Sequence, residues 1–283
     1  ELPEPKFEVL AAVENLIGES PVYSLDGASI YWVDICRPCI FALQLTSGEI
    51  SRFPQDEMVT AISDTEQGLL AATQSGVNLI DLTTGQVRRT VCDPESDLPT
   101  NRYNDGKCDS MGRFWIGSLA FNLEKGAGSL YRIDLSGKPR VMETGLTLPN
   151  GLGWSTDNRT MYLIDTVDRV VFAYDFDEKS GQIEDRTELI KFDGNFAGNP
   201  DGMDVDEDGN LWIAMWDGWC VRKYSPAGDL IAKFSVPFPR PTSCLCQSDG
   251  SRCVIVTSAR IRVNEDLLQS HPLAGSGISI PMP

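Results

Sequence analysis

The feature that most constrains the fold is a repeat of strand–turn–strand units along the 283-residue chain. Period-two alternation rich in β-branched and aromatic residues dominates, and long amphipathic helical stretches are scarce. Six units align on one apolar anchor each, and the anchors are Tyr31, Leu70, Phe114, Tyr162, Leu211 and Val254. The intervals between them are 39, 44, 48, 49 and 43 residues, which is typical of four-stranded propeller blades. We therefore predict an all-β fold, a six-bladed β-propeller.

The repeats extend over nearly the whole chain, so residues 1–283 are predicted to form a single propeller domain with no linker. The chain ends soon after the segment SGISIPMP, and this leaves the closure of the ring unsettled. We expect the N-terminal segment KFEVLAA to pair into the last blade and close it, because an unpaired sheet edge is a liability.

Short polar turns such as DSMG and DEDG precede the apolar run of each unit. Asp, Asn, Ser and Gly adopt the backbone conformations of tight hairpins, so most of these carboxylates, including Asp208 and Asp249, are predicted to be structural. The segment DVDEDGNLW (204–212) looks like half of an EF-hand loop. It lacks the glutamate at position 12 and the flanking helices, so we expect a hairpin turn there.

Charge argues against two classes of partner. The 41 acidic and 24 basic residues give a net charge of −17, which repels phosphate backbones and anionic lipids. No apolar run approaches the roughly 20 residues of a membrane-spanning helix, and ELPEPKFEVL lacks the features of a signal peptide. We expect a cytoplasmic protein without nucleic-acid or membrane partners, although a chain that begins at Glu1 leaves a removed leader open.

Cysteine and histidine usage narrows the chemistry further. Cys36 and Cys39 form one CxxC pair among eight cysteines, without the second pair of a four-thiolate zinc site. Free thiols are expected, because a chain of this length needs no disulfide framework. The single histidine, His271, is predicted on a surface loop. Since serine, cysteine and HExxH catalysis would all depend on that residue, any catalysis must use carboxylates and amides, with or without a metal.

Three short segments offer metal ligands: Glu19 in GESP, Asn150 in PNG and Asp201 in PDG. Asn150 and Asp201 lie 51 residues apart, about one blade, so equivalent loops would place both at one end of the propeller axis. The preceding proline and following glycine are expected to hold each side chain, and plain inter-blade turns are the alternative. With Asn104 of NRYNDGKCD they make two carboxylates and two amides, the oxygen ligands of Ca²⁺, Mg²⁺ or Mn²⁺. A cation would also relieve the repulsion of two buried carboxylates.

Five segments, in order over residues 18–260, resemble the gluconolactonase/regucalcin (senescence marker protein) family of six-bladed propellers. They are GESPVY, RYNDGKCDSMGRFWIGSL, LPNGLGWSTDNRTMYLIDT, NPDGMDVDEDGNLWIA and VTSARI. The resemblance implies that Glu19, Asn150 and Asp201 hold one divalent metal ion. Calcium is expected first, and magnesium, manganese or zinc are the alternatives.

The resemblance also implies roles toward a substrate. Arg102 and Asn104 are expected to contact it, and Asp201 is expected to act as acid and base. Asp105 and Lys107 are expected to shape and support their loop. In some animal members a glutamate-rich run follows the next strand and reaches the sugar. Here that run reads GSLAFNLEKGAG, so we assign no substrate residue in it.

The residue types together with this resemblance imply a metal-dependent hydrolase that opens a small-molecule sugar lactone to its aldonic acid. The metal would polarise the carbonyl, and water would attack with proton transfer through Asp201. One alternative is organophosphate or other ester hydrolysis on the same metal site. A second is a non-enzymatic, calcium-binding regulatory propeller, which would have no need of Arg102 and Asn104. The sequence does not set the oligomeric state.

Overall fold

Six four-stranded antiparallel sheets make up the described part of the chain. The computed structural model describes residues 6–134, 136–194, 197–246 and 252–282. In each of blades 1–5 the four strands follow one another in sequence, and in blade 6 the N-terminal strand joins three C-terminal ones. This is the six-bladed β-propeller that the repeat predicts.

The strands of the first three blades are as follows. Blade 1 contains β2 (Gly18–Tyr23), β3 (Ser29–Asp34), β4 (Cys39–Gln44) and β5 (Ile50–Pro54). Blade 2 contains β6 (Val59–Thr65), β7 (Gly68–Thr73), β8 (Gly76–Asp81) and β9 (Gln86–Cys92). Blade 3 contains β10 (Asn101–Cys108), β11 (Phe114–Ala120), β12 (Gly128–Ile133) and β13 (Pro139–Leu146).

The other three blades repeat the plan. Blade 4 contains β14 (Pro149–Trp154), β15 (Thr160–Asp165), β16 (Val170–Asp177) and β17 (Gln182–Lys191). Blade 5 contains β18 (Asn199–Val205), β19 (Leu211–Trp216), β20 (Cys220–Tyr224) and β21 (Leu230–Ser235). Blade 6 contains β22 (Pro241–Cys246), β23 (Cys253–Ser258), β24 (Gly277–Pro281) and β1 (Glu8–Ala11). All six anchor residues lie on the second strand of a blade.

The N-terminal strand closes the ring. β1 pairs with β24 in antiparallel register, with Glu8 opposite Ser279, which confirms the predicted closure. The first strand of each blade packs against the first strands of its two neighbours, and β22 contacts β2. These six strands, the inner strands, therefore surround the axis.

The core consists of apolar clusters between successive blades. Trp115 and Trp212 are fully buried. Their indole nitrogens donate to Asp109 and Asp206 over 2.9 Å in both cases. Asp206 also accepts from the backbone of Asn210, so the EF-hand-like segment is a hairpin turn, as predicted.

Other predicted features also have defined positions. Asp208 is exposed and pairs with Arg252 at 3.2 Å, whereas Asp249 lies outside the described residues. None of the eight cysteines, all of which lie among the described residues, forms a disulfide. No helix in the described residues is long and apolar enough to cross a membrane.

The sequence reading did not predict the short helix α1 (Glu265–Ser270). His271 caps its C-terminal end, and the His271 ring packs on Trp219 at 4.7 Å between centroids. His271 is therefore held beside a helix end, where only a surface loop was predicted.

Candidate active site

Every inner strand contains a β-bulge near its start. The pairing register shifts between Glu19 and Val22, Val59 and Ala61, Tyr103 and Gly106, Pro149 and Leu152, Pro200 and Met203, and Pro241 and Ser243. A bulge bends its strand and re-aims the side chains next to it. Buried polar residues occupy these positions: Glu19, Thr60, Asn104, Asp105, Asn150, Asp201 and Thr242. The bulges therefore gather polar groups around the axis at one end of the ring.

The PNG and PDG segments lie in these bulges, so their interpretation as loops or inter-blade turns was wrong. A Cβ on Gly151 would collide with the backbone nitrogen of Met203. A Cβ on Gly202 would collide with the Ser243 side chain. Glycine is required at these two positions because neighbouring inner strands approach closely at the axis. The reason is close packing of the strands, and it is not the conformation of a turn.

A cavity of about 430 Å³ opens at this end of the axis. Its lining includes all five residues singled out from the sequence, namely Glu19, Arg102, Asn104, Asn150 and Asp201. The Asn150 amide nitrogen donates to the Asp201 carboxylate over 2.6 Å. The one-blade spacing of PNG and PDG thus places both side chains together.

The amide of Asn150 has a defined orientation. Its Nδ2 donates to Asp201 Oδ1 and, over 3.0 Å, to Thr166 Oγ1. Thr166 in turn donates to the backbone oxygen of Pro200 over 2.7 Å. Because both N–H groups of Asn150 are engaged, its Oδ1 is the atom available to a cation.

Glu19 is oriented by the residue that follows it. The backbone nitrogen of Ser20 donates to Glu19 Oε2 over 2.7 Å, and Ser20 has a φ of 51°. The Ser20 hydroxyl accepts from the Ile62 backbone nitrogen over 2.9 Å, which joins blade 1 to blade 2. A non-glycine residue with positive φ persists only where its surroundings impose it, and such residues cluster at functional sites.

Three carboxyl groups share this buried space. Burial, followed by the nearby Asp201 and Asp105, raises the pKa of Glu19 well above its usual range. Burial and then Asp105 raise the pKa of Asp201, against the hydrogen bond from Asn150. Burial raises the pKa of Asp105 to about 6, although Lys107 opposes the shift. A divalent cation would relieve this repulsion.

The donor set fits such an ion. Two carboxylates and an amide oxygen are hard ligands of the kind that Ca²⁺ and Mg²⁺ prefer. The described residues contain no group of three His, Cys, Asp or Glu side chains that could hold a metal. Glu19, Asn150 and Asp201 differ from such a group because one of the three is an amide.

Arg102 and Asn104 are linked to each other at the cavity wall. The Arg102 guanidinium donates to Asn104 Oδ1 over 3.0 Å and to the Tyr103 backbone oxygen over 2.9 Å. Asn104 Nδ2 donates to the Pro149 backbone oxygen over 3.0 Å, which ties it to the strand that bears Asn150. Burial lowers the pKa of Arg102. No described carboxylate forms a salt bridge with it, so donors remain for a substrate oxygen.

Asp105, which was expected to support a loop, lies instead in a strand that lines the cavity. Asp105 and Gly106 lie inside β10, and the turn after that strand spans residues 109–112 instead. Strict alternation would put Asn104 and Asp105 on opposite faces. The bulge between Tyr103 and Gly106 brings both into the cavity.

Lys107 lies inside β10, where a loop was expected, and it links two blades. Its ammonium group pairs with Asp204 at 2.7 Å and donates to the Met203 backbone oxygen over 3.2 Å. These contacts tie β10 of blade 3 to β18 of blade 5.

The apolar part of the cavity lining was not foreseen either. It consists of Ile17, Ile35, Leu123, Leu148, Val167 and Trp216. Leu123 belongs to the loop in which no substrate residue was assigned. Phe121 of that loop is exposed. The apolar residues lie at strand ends or in loops of different blades, so no local sequence pattern joins them.

Comparison with known proteins places this fold and site in a family. The model described as "SMP-30/Gluconolactonase/LRE-like region" matches residues 17–260. The chain belongs to this family. Its positions Glu19, Arg102, Asn104, Asn150 and Asp201 all fall within the matched region.

Two relatives and one solved structure illustrate the similarity. The 6-deoxy-6-sulfogluconolactonase of Pseudomonas putida is 31% identical, over 92% of this chain and 89% of the relative. The L-arabinolactonase of Azospirillum brasilense is also 31% identical, over 96% of this chain and 91% of the relative. The crystal structure of a calcium-binding protein, regucalcin, from Agrobacterium tumefaciens strain C58 superposes with a TM-score of 0.92 at 28% identity. The superposition covers 98% of this chain and 93% of the regucalcin chain.

Proposed function

We propose that the protein is a sugar lactonase that uses one divalent metal ion. The observation that carries this proposal is the single cavity shared by Glu19, Asn150, Asp201, Arg102 and Asn104. The relatives named as lactonases support an enzyme of this type.

Glu19, Asn150 and Asp201 would hold the ion, with calcium expected first and magnesium, manganese or zinc as alternatives. When bound, such an ion supplies a Lewis acid for the lactone carbonyl. Ser20 and Thr166 orient Glu19 and Asn150 through the hydrogen bonds described above. The ligands are thereby positioned before substrate enters, which reduces the cost of reorganisation.

Asp201 accepts a proton from the attacking water as the water oxygen bonds to the carbonyl carbon. The ring C–O bond then breaks, and Asp201 returns the proton to the departing ring oxygen. The product is the open hydroxy acid. A carboxylate that also binds a cation is a weak base. One oxygen of Asp201 would therefore bind the ion, and the other would accept the proton from water.

Arg102 and Asn104 bind the substrate beside this centre. The Arg102 guanidinium offers N–H groups to ring hydroxyls and to the carboxylate that forms on opening. Asn104 is held by Arg102 and by Pro149, so its position is defined without substrate.

The deciding experiment is hydrolysis of D-glucono-1,5-lactone, L-arabinono-1,4-lactone and D-xylono-1,4-lactone, followed by pH-stat titration. We expect turnover that a chelator abolishes and that added Ca²⁺, Mg²⁺ or Mn²⁺ restores. Turnover unaffected by a stringent chelator would contradict the metal role. With metal loaded, hydrolysis of aryl esters or phosphotriesters but of no lactone would favour the ester-hydrolase alternative. No turnover of any substrate would favour the calcium-binding alternative.

A further inference from the structure

The cavity has a polar floor and an upper layer in which apolar side chains predominate. The floor is formed by residues within the inner strands, including Glu19, Asn150 and Asp201. The upper layer contains the six apolar lining residues named above, together with Thr166, Arg169 and Asn199. Thr166 and Arg169 are already hydrogen-bonded within the protein, to Asn150, Pro200, Gly198 and Asn199. We call the six apolar residues the apolar rim.

Chain topology places the rim at the open end. Ile17 and Leu148 immediately precede β2 and β14, and Ile35 immediately follows β3. Leu123 and Val167 lie in the loops after β11 and β15. Each rim residue is therefore at or beyond a strand end, whereas the floor residues lie further along the inner strands.

The rim leaves apolar surface uncovered. Leu123 is 45% exposed and Val167 is 44% exposed, in a chain with a net charge of −17. Leu123 also has a φ of 56°, a left-handed conformation that is unfavourable for a leucine. Trp216 also lines this part of the cavity, and the Arg240 guanidinium lies 4.9 Å from the centroid of its ring.

The hydroxyl groups of a fully hydroxylated sugar find few hydrogen-bond partners on this surface. These hydroxyl groups need hydrogen-bond partners, which the floor, Arg102 and Asn104 supply. Against the rim the same hydroxyls would lose water without gaining a partner, which costs free energy. Burying an alkyl group there is favourable instead, by about 0.8 kcal/mol for each methylene.

Resting on the lactonase function proposed above, we propose that the substrate is a lactone with an apolar substituent on the carbon that bears the ring oxygen. The carbonyl lies at the floor, and the substituent extends to the open end against Leu123, Val167 and Trp216. Sugar lactones carry their exocyclic side chain on this carbon. The rim therefore selects a deoxygenated or alkylated side chain over a polyol.

The first test compares lactones that differ only at that carbon. We expect kcat/KM to rise about two- to fourfold per methylene from δ-hexalactone to δ-octalactone. It should also be higher for 6-deoxy-D-glucono-1,5-lactone than for D-glucono-1,5-lactone. A flat or falling alkyl series, or preference for the 6-hydroxyl compound, would overturn the inference.

The second test perturbs the rim on exposed loop positions, where folding is little affected. Val167→Thr keeps the side-chain shape, and Leu123→Asn adds polarity with a residue that tolerates positive φ. Each should lower the ratio of kcat/KM for δ-octalactone to that for D-glucono-1,5-lactone by three- to tenfold. Val141→Thr, at a 59% exposed position on β13, is the matched control and should leave the ratio unchanged. An unchanged ratio in both rim variants would contradict the rim's role.

The two proposals fail differently. If D-glucono-1,5-lactone is hydrolysed and alkyl substituents bring no gain, the lactonase function stands and the rim inference falls. If the metal-loaded protein hydrolyses no lactone at all, the proposed function falls, and the rim inference falls with it.

Discussion

The side chains of Asn150 and Asp201, which are 51 residues apart in sequence, are joined by a hydrogen bond of 2.6 Å. This bond commits the Asn150 N–H group to Asp201 and leaves the amide oxygen of Asn150 for a cation. It also lowers the pKa of Asp201 against the stronger effects of burial and Asp105. One contact between neighbouring inner strands thus orients two of the three proposed metal ligands.

The acid/base role of Asp201 can be separated from metal binding. Asp201→Asn keeps an oxygen ligand but removes the proton acceptor, so we expect kcat to fall by about 10²- to 10⁴-fold. Calorimetric titration with Ca²⁺ should still detect binding, with reduced affinity. A rate within a few-fold of the parent, with the metal bound, would rule out this assignment.

Arg102 should act on substrate and not on the metal. Arg102→Lys keeps the charge but loses the planar fork of donors, so KM should rise about tenfold or more while Ca²⁺ affinity stays constant. Arg140→Lys, on the exposed outer strand β13, is the control with the same change of side chain. A loss of metal affinity in the Arg102 variant would show that the residue supports the ligands instead.

The buried carboxyl groups predict how stability depends on pH. The pKa of Asp105 is raised to about 6, and those of Glu19 and Asp201 are raised as well. A raised pKa in the folded state stabilises the fold when the group is protonated. In metal-free protein the contribution of Asp105 is complete below about pH 4 and is lost as the pH rises through about 6.

Bound Ca²⁺ should offset that loss, because it neutralises the ionised groups. The increase in melting temperature on adding Ca²⁺ should therefore be larger at pH 8 than at pH 5. Asp105→Asn should weaken the pH dependence of the metal-free protein. An equal Ca²⁺ effect at both pH values would contradict the electrostatic origin.

Ser20 combines strain with a useful hydrogen bond. Ser20→Ala loses the bond to Ile62 and keeps the unfavourable φ, so unfolding free energy should fall by about 1–2 kcal/mol. Ser20→Gly loses the same bond but accepts the positive φ, and should be about 1 kcal/mol more stable than the alanine variant. Urea unfolding measures both. If the alanine variant is the more stable of the two, the strain argument is wrong.

Gly151 should tolerate no side chain. In Gly151→Ala the new Cβ meets the backbone of the neighbouring inner strand, so the variant should lose at least about 2 kcal/mol of unfolding free energy. Gly194→Ala is the matched control, since a Cβ there meets no atom of the described residues within 4 Å. Its stability should stay within about 0.5 kcal/mol of the parent. Similar losses in both variants would show that close packing at the axis is not the cause.

Local sequence patterns predicted much of this protein. Strand alternation placed all six anchors on the second strand of a blade, because period-two burial is a local property of each strand. The PNG and PDG segments, one blade apart, predicted that Asn150 and Asp201 would lie at the same end of the propeller axis. Pairing of the N-terminal strand with the last blade was predicted because an open sheet edge has to be covered. The pairing of β1 with β24 confirms this prediction.

The sequence by itself therefore determined the number of blades, the order of strands and the chemistry of the proposed ligands. Only the tertiary structure decided that Asp105 joins the cavity, that Gly151 and Gly202 serve close packing, and that an apolar rim lies above the floor. These features arise where six inner strands crowd one axis and bulge, and where loop ends from different blades meet. They depend on contacts between distant parts of the chain, which the period of a single strand does not encode.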